Sequence, residues 1–254
     1  ARGRAGLELM RWSLDRLDTD IHAVRAGVRA ERRWSGSLAT TGALELTRID
    51  APDWSPVTGE LNIAFTPSDV LRLDVGVARI GVFDHVPAVQ HRLIGTFASV
   101  GADLRLTPAL TLITAADGTE WSTGNHRLRL RGAARVRLPG RPAITLEMPL
   151  LVQLYDEPMP FPYFAPGHYL ELGPGALLES RIGSDWLASL YGRGGAQREQ
   201  GRSWDPLTTL RAAIVREPSS GWGMSAAFSW TNSNIASAES FRRTAFELAL
   251  VRVF

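Results

Sequence analysis

His126-Arg127-Leu128-Arg129-Leu130-Arg131-Gly132-Ala133-Ala134-Arg135-Val136-Arg137-Leu138 alternates basic and apolar residues with a period of two. Successive side chains of an extended strand point to opposite faces. Arg127, Arg129, Arg131, Arg135 and Arg137 therefore share one face, and Leu128, Leu130, Ala134, Val136 and Leu138 the other. If this strand crosses a membrane, its orientation is fixed. An Arg on the lipid side at the bilayer midplane costs about 2–4 kcal/mol, so the leucines meet lipid and the five guanidiniums line an interior.

The same alternation recurs along almost the whole chain, while helical periodicity is scarce. Trp222, Met224, Ala226, Phe228 and Trp230 share one parity, as do Ile144, Leu146, Met148, Leu150, Val152 and Leu154. Leu61, Ile63 and Phe65, then Leu71, Leu73, Val75 and Val77, and finally Phe246, Leu248 and Leu250 repeat it. The pattern predicts strands over 3–13, 20–31, 35–49, 56–65, 69–82, 92–106, 109–117, 124–138, 143–155, 167–179, 184–196, 207–216, 221–231 and 237–254, about 14 in all.

Between them, short turns alternate with longer connections. Thr66-Pro67-Ser68, Thr107-Pro108, Pro139-Gly140-Arg141, Arg181-Ile182-Gly183 and Glu217-Pro218-Ser219-Ser220 are short; 50–55, 83–91, 118–123, 156–166, 197–206 and 232–236 are longer. Transmembrane β-barrels show this asymmetry, with short periplasmic turns and longer outer loops. An even strand number then puts both termini in the periplasm. In lipid no strand can leave its backbone N–H and C=O groups unpaired, so the sheet must close on itself. Several strands exceed the 9–11 residues that cross a bilayer. The expected fold is all-β: one transmembrane antiparallel up-and-down barrel over residues 1–254, in the bacterial outer membrane.

Composition excludes several alternatives. No apolar run is long enough for a transmembrane helix. With no Cys there is neither a disulfide framework nor a thiolate metal site. All 28 basic residues are Arg, yet the formal net charge is only +2, too small to indicate nucleic acid. The five histidines, His22, His85, His91, His126 and His168, show no metal-ligand spacing, and no G-x-S-x-G nucleophile elbow is present. Gly192-Arg193-Gly194-Gly195 lacks the strand–helix setting of a phosphate loop. Neither a cofactor nor an enzymatic activity is expected. Beginning at Ala1 without a signal peptide, the chain reads as a processed mature form or an excised domain.

Lumenal carboxylates could neutralise the arginine ladder. By parity the candidates are Glu45, Asp103, Glu147, Glu171, Glu179, Asp185 and Glu247, with Glu147 on the adjacent strand the first choice. The ladder then either fills the barrel with ion pairs or forms a hydrogen-bonding, electropositive wall for a hydrophilic solute; one wall can do both. In 159–170 the aromatics Phe161, Tyr163, Phe164 and Tyr169 alternate with prolines, which reads as a rigid outer loop or as an aromatic surface for sugar rings near the mouth.

Two further features carry a family resemblance. The chain closes on Phe246, Leu248, Leu250 and Phe254, a pattern similar to the assembly signal of bacterial outer-membrane barrels, with Arg252 departing from it. Tyr163-Phe164-Ala165-Pro166-Gly167-His168-Tyr169-Leu170 resembles the strand entry of the C-terminal barrels in tetratricopeptide-anchored exopolysaccharide exporters of the cellulose, poly-N-acetylglucosamine and Pel types. The likeness covers about 160–254 and is greatest to the cellulose exporter. It implies a barrel of 16 strands, a periplasmic helical-repeat domain before the barrel, and an inner-membrane synthase that supplies polymer. On that basis the expected function is export of a hydrophilic exopolysaccharide. Arg127, Arg129, Arg131, Arg135, Arg137, Glu147 and Glu171 would line the path. A general or selective porin, and a plugged barrel that anchors an envelope assembly, are the alternatives.

Overall fold

The computed structural model describes residues 2–14, 19–50, 53–82, 86–158, 165–216, 221–233 and 243–253. The strands among them are β1 (Arg2–Leu14), β2 (Thr19–Arg33), β3 (Leu38–Ile49), β4 (Val57–Ser68), β5 (Leu71–Gly81), β6 (Ile94–Arg105), β7 (Leu110–Trp121), β8 (His126–Leu138), β9 (Ala143–Tyr155), β10 (His168–Leu172), β11 (Gly175–Ile182), β12 (Trp186–Glu199), β13 (Asp205–Arg216), β14 (Gly221–Thr231) and β15 (Arg243–Val253). One short helix, α1 (Val86–Gln90), lies between β5 and β6.

Except for β10 and β11, which do not pair with each other, each strand pairs antiparallel with its sequence neighbours, and β1 pairs with β15 through Arg4↔Val253, Ala5↔Arg252 and Gly6↔Val251. β10 and β11 are two halves of one stave, since both lie between β9 and β12. The ring therefore has 14 staves, the number expected from the alternation.

The stave breaks at Gly173-Pro174 for a local reason. Gly173 has φ +154°, and a Cβ there would run into the backbone of Gly194 and Gly195. Pro174 has no N–H to give to a ladder, so pairing lapses there and resumes at Gly175.

The periodicity misplaced a few boundaries. Residues 118–121 and 197–199 continue β7 and β12 instead of forming loops. The β7–β8 connection is consequently tight, closed by Trp121 N donating to Asn125 O at 2.9 Å, with Gly124 at φ +84°. Pro67 and Ser68 belong to β4, where the register shifts between Phe65 and Ser68, a bulge that tolerates proline. The last strand is described from Arg243; residues 237–242 and 254 lie outside the described residues.

Side-chain distribution is inverted relative to a soluble protein. Large apolar residues on one parity are exposed, among them Val28, Leu44, Val75, Val100, Leu130, Leu190 and Phe228. The assembly-pattern residues Phe246, Leu248 and Leu250 belong to this outer surface, while Phe254 lies outside the described residues. On the opposite parity the buried side chains are mostly polar: Thr47, Thr58, Asp117, Thr119, Arg127, Gln153, Glu171 and Thr209. A band of apolar side chains around a closed ring with a polar interior is what lipid outside and water inside require. Trp34, Trp186 and Trp222 stand at the short-turn rim, Trp54, Trp204 and Trp230 toward the loop rim. Both chain ends lie at the short-turn rim, which faces the periplasm in such barrels.

Candidate functional site: the charged lumen and its outer mouth

The arginine ladder on β8 lies where alternation puts it, between β7 and β9. Register sets Arg129 beside Asp117 and Gln153, and Arg135 beside Thr111 and Glu147. Asp117 is the hub. Only 2% exposed, it takes Arg127 Nη2 on Oδ1 at 3.0 Å, and on Oδ2 Arg129 Nε at 2.8 Å and Arg131 Nη2 at 3.5 Å. Arg127 also donates to Thr119 Oγ1 at 2.7 Å and stacks over the Trp121 ring. Three guanidiniums around one carboxylate leave a local excess of positive charge, and Arg131 is half exposed to the lumen.

Lower in the barrel, Arg135 Nε donates to Glu147 Oε2 at 2.9 Å, and Tyr191 donates its phenol proton to Glu147 Oε1 at 2.7 Å. Arg137, at the inner end of the ladder, has no side-chain partner among the described residues. Glu171 on β10 is buried. Its Oε2 accepts Arg193 Nη1 at 3.0 Å, and its Oε1 accepts Tyr169 Oη at 2.8 Å together with Ser233 Oγ. Ion pairs continue around the wall as Arg25–Glu45, Arg29–Glu60 and Arg72–Asp74.

Two expectations change here. Asp117, not a carboxylate from the parity set, is the main partner of the ladder; Glu147 serves Arg135 alone. Tyr169 is not an outer-loop aromatic. It sits on β10, 1% exposed, with its phenol within hydrogen-bond reach of Glu171 and Gln197, so it offers no stacking face. Phe161, Tyr163 and Phe164 lie outside the described residues.

Sequence reading missed an apolar cluster at the outer mouth. α1 approaches β1, several staves away from the β5–β6 hairpin that carries it. Ala88 and Leu93, both fully buried, form one apolar cluster with inward-facing Trp121 and Tyr155 and with Ala165, and Ile80 and Val82 pack against it. This cluster draws on β5, β7 and β9 and on the β5–β6 and β9–β10 connections, so it sits at the loop rim above the Arg–Asp hub. The rim is further tied by Asn125 Nδ2 donating to Glu157 O at 2.7 Å and Glu157 N donating to Asn125 Oδ1 at 3.1 Å.

No protein-family model matches the chain, and no curated protein matches it by sequence. Its fold is shared by solved structures. A bacterial polysaccharide outer membrane secretin superposes with TM-score 0.71 at 12% identity, covering 100% of this chain and 97% of that one. A loop L8 deletion mutant of OmpT, an outer membrane protein of Vibrio cholerae, gives 0.54 at 9% identity over 100% and 97%. Salmonella typhi OmpF, in a complex with daunomycin, gives 0.52 at 6% over 100% and 96%. Apolar girth, closed ring and shared architecture define the class: the chain is a transmembrane β-barrel with the fold of bacterial outer-membrane proteins.

Proposed function

We propose that this barrel is a non-enzymatic channel through which a hydrophilic polysaccharide leaves the cell. The observation that carries the reading is the lumenal wall of arginines and carboxylates, which the apolar cluster at the mouth would cap. Such a wall offers a sugar polymer many weak, exchangeable hydrogen bonds and no single deep well, the condition for passage instead of retention. Shared architecture with a polysaccharide outer membrane secretin supports the same reading. A cellulose-like polymer is favoured by the strand-entry resemblance at 163–170. Transport is passive at this membrane, with an inner-membrane synthase pushing the chain and a helical-repeat domain as periplasmic partner.

The test is secretion with conductance. Arg129→Glu with Arg131→Glu inverts the wall beside Asp117 and should lower polymer secretion about tenfold, the loss of one charge-assisted hydrogen bond per passing unit, with folded barrel still present. Unchanged secretion would sink the exporter reading. The mouth cap favours one second reading, a plugged barrel that anchors an envelope assembly. That barrel would stay silent in planar bilayers even after the cap is removed.

A further inference from the structure

Below the hub, staves β8 to β15 enclose a cavity of about 810 Å³, within the size range of sites that take ligands of several rings. Its formal charge cancels. Arg135, Arg193 and Arg211 line it together with Glu147, Glu171 and Glu247, three of each sign. Arg135 pairs with Glu147 at 2.9 Å and Arg193 with Glu171 at 3.0 Å. Arg211 and Glu247 stand on the two staves that flank β14. The hub above is different, with three guanidiniums on one carboxylate.

Between these ions lies an uncharged floor. β14 is the one described strand that carries no ionisable residue. Register lays Ser189, Ala213 and Ala227 side by side across β12, β13 and β14, and Tyr191, Arg211 and Ser229 in the next row. Directly paired residues share a face, so both rows point into the lumen. The Ser189 and Ser229 hydroxyls line the cavity and make no hydrogen bond among the described residues. Each can give one bond and accept others. Leu151 and Leu177 add apolar surface to the same cavity.

A charged solute gives up hydration on entering such a space, and the cavity offers no net charge to offset that loss. A neutral glycan gives up only hydroxyl–water bonds, which serine hydroxyls replace at little net cost. Its C–H faces cover alanine and leucine side chains. We infer that this cavity is a subsite for a neutral, hydroxyl-rich glycan, with Ser189 and Ser229 bonding the sugar and Ala213 and Ala227 bearing its apolar face. The inference deepens the export reading and rests on it for the role of the site. Exchange of hydroxyl for hydroxyl keeps the site shallow, so an advancing chain is contacted without being held.

The chain contains no Cys, so a single introduced thiol reports on its own position. Ser229→Cys and Ser189→Cys place near-isosteric thiols in the cavity. Ala64→Cys places one on the lumenal face of β4, away from the cavity and in register with Ala39 and Asp74. Labelling by a neutral methanethiosulfonate reagent is followed on the intact barrel in detergent micelles, with cellohexaose as the probe. At twice its dissociation constant cellohexaose should slow labelling of both cavity thiols about threefold, the mass-action factor 1 + [L]/Kd, and leave Ala64→Cys unchanged. A glucuronate hexamer should protect less. The subsite is overturned if Ala64→Cys slows as much as the cavity thiols, if either cavity thiol goes unprotected, or if the glucuronate hexamer protects better. Polymer secretion by a barrel whose cavity thiols go unprotected refutes this inference and leaves the channel standing. Protection in a barrel that never conducts, even with Leu93→Ala, does the reverse.

Discussion

Asp117 decides the energetics of the upper lumen. Breaking a buried ion pair by removing one partner typically costs 3–5 kcal/mol, because the remaining charge stays desolvated. Asp117→Ala strands Arg127, whose side chain is 8% exposed, with Thr119, Tyr155 and the Trp121 face as its remaining company and no counter-charge among them. Denaturant unfolding followed by Trp fluorescence should show a loss of about 3–5 kcal/mol, and a loss below 1 kcal/mol would contradict the hub. The surviving arginines should also raise anion over cation permeability, readable as a shifted zero-current potential across a salt gradient. The ladder itself was legible in the sequence, because parity assigns a face without knowledge of neighbours. Its partner was not. Asp117 fell at the expected end of β7, where a strand stops having an inside, and only continuation of that strand to Trp121 brings it beside Arg129.

Among the elements, the divided stave and the capped mouth make separate predictions. At Gly173 an added methyl meets the backbone of β12, whereas at Gly194 it meets nothing within 4 Å. Gly173→Ala should therefore reduce the fraction of barrel that runs as the compact, heat-modifiable species on gels, and Gly194→Ala should leave it unchanged. In the cap, Leu93→Ala removes a fully buried apolar side chain from the cluster that holds α1 inward. Leu→Ala changes at such sites cost about 2–5 kcal/mol, comparable to the hold of a loop on a rim. Single-channel records should show longer and more frequent openings, and records like those of the parent would mean the cap does not close the path. The sequence concealed this element for a physical reason. A five-residue helix is shorter than the window in which a 3.6 period can register, and the cap joins residues from Ile80 to Ala165 that no local pattern links.

For the whole molecule, lipid is the second solvent that makes the fold stable. Leu44 lies mid-strand on the outer face and is 57% exposed. Leu44→Arg should cost about 2–4 kcal/mol in bilayer-based unfolding, and a neutral outcome would place this face in water. At this scale the sequence was most informative. Period-2 alternation and turn spacing specify a ring of 14 staves, because both follow from local geometry that lipid enforces on every strand. Register was beyond it, and with register went the identity of each pair across the lumen: the faces of Arg135 and Glu147 could be matched by parity, while the pairing of Arg193 with Glu171 depends on how β10 and β12 lie side by side.

In an export channel, the apolar cluster that Ala88 of α1 forms with Leu93, Trp121, Tyr155 and Ala165 would also bear on the cell's survival. An unobstructed cylinder of this girth would be a standing breach in the envelope, open to bulky hydrophilic antibiotics that an intact outer membrane turns away. On the export reading, a stopper built from the barrel's own β5–β6 connection would keep that breach sealed whenever no cargo is in transit. The hold of Ala88 and Leu93 on Trp121 and Tyr155 would then be tuned between two demands, weak enough for an advancing polymer to dislodge and firm enough to keep poisons out.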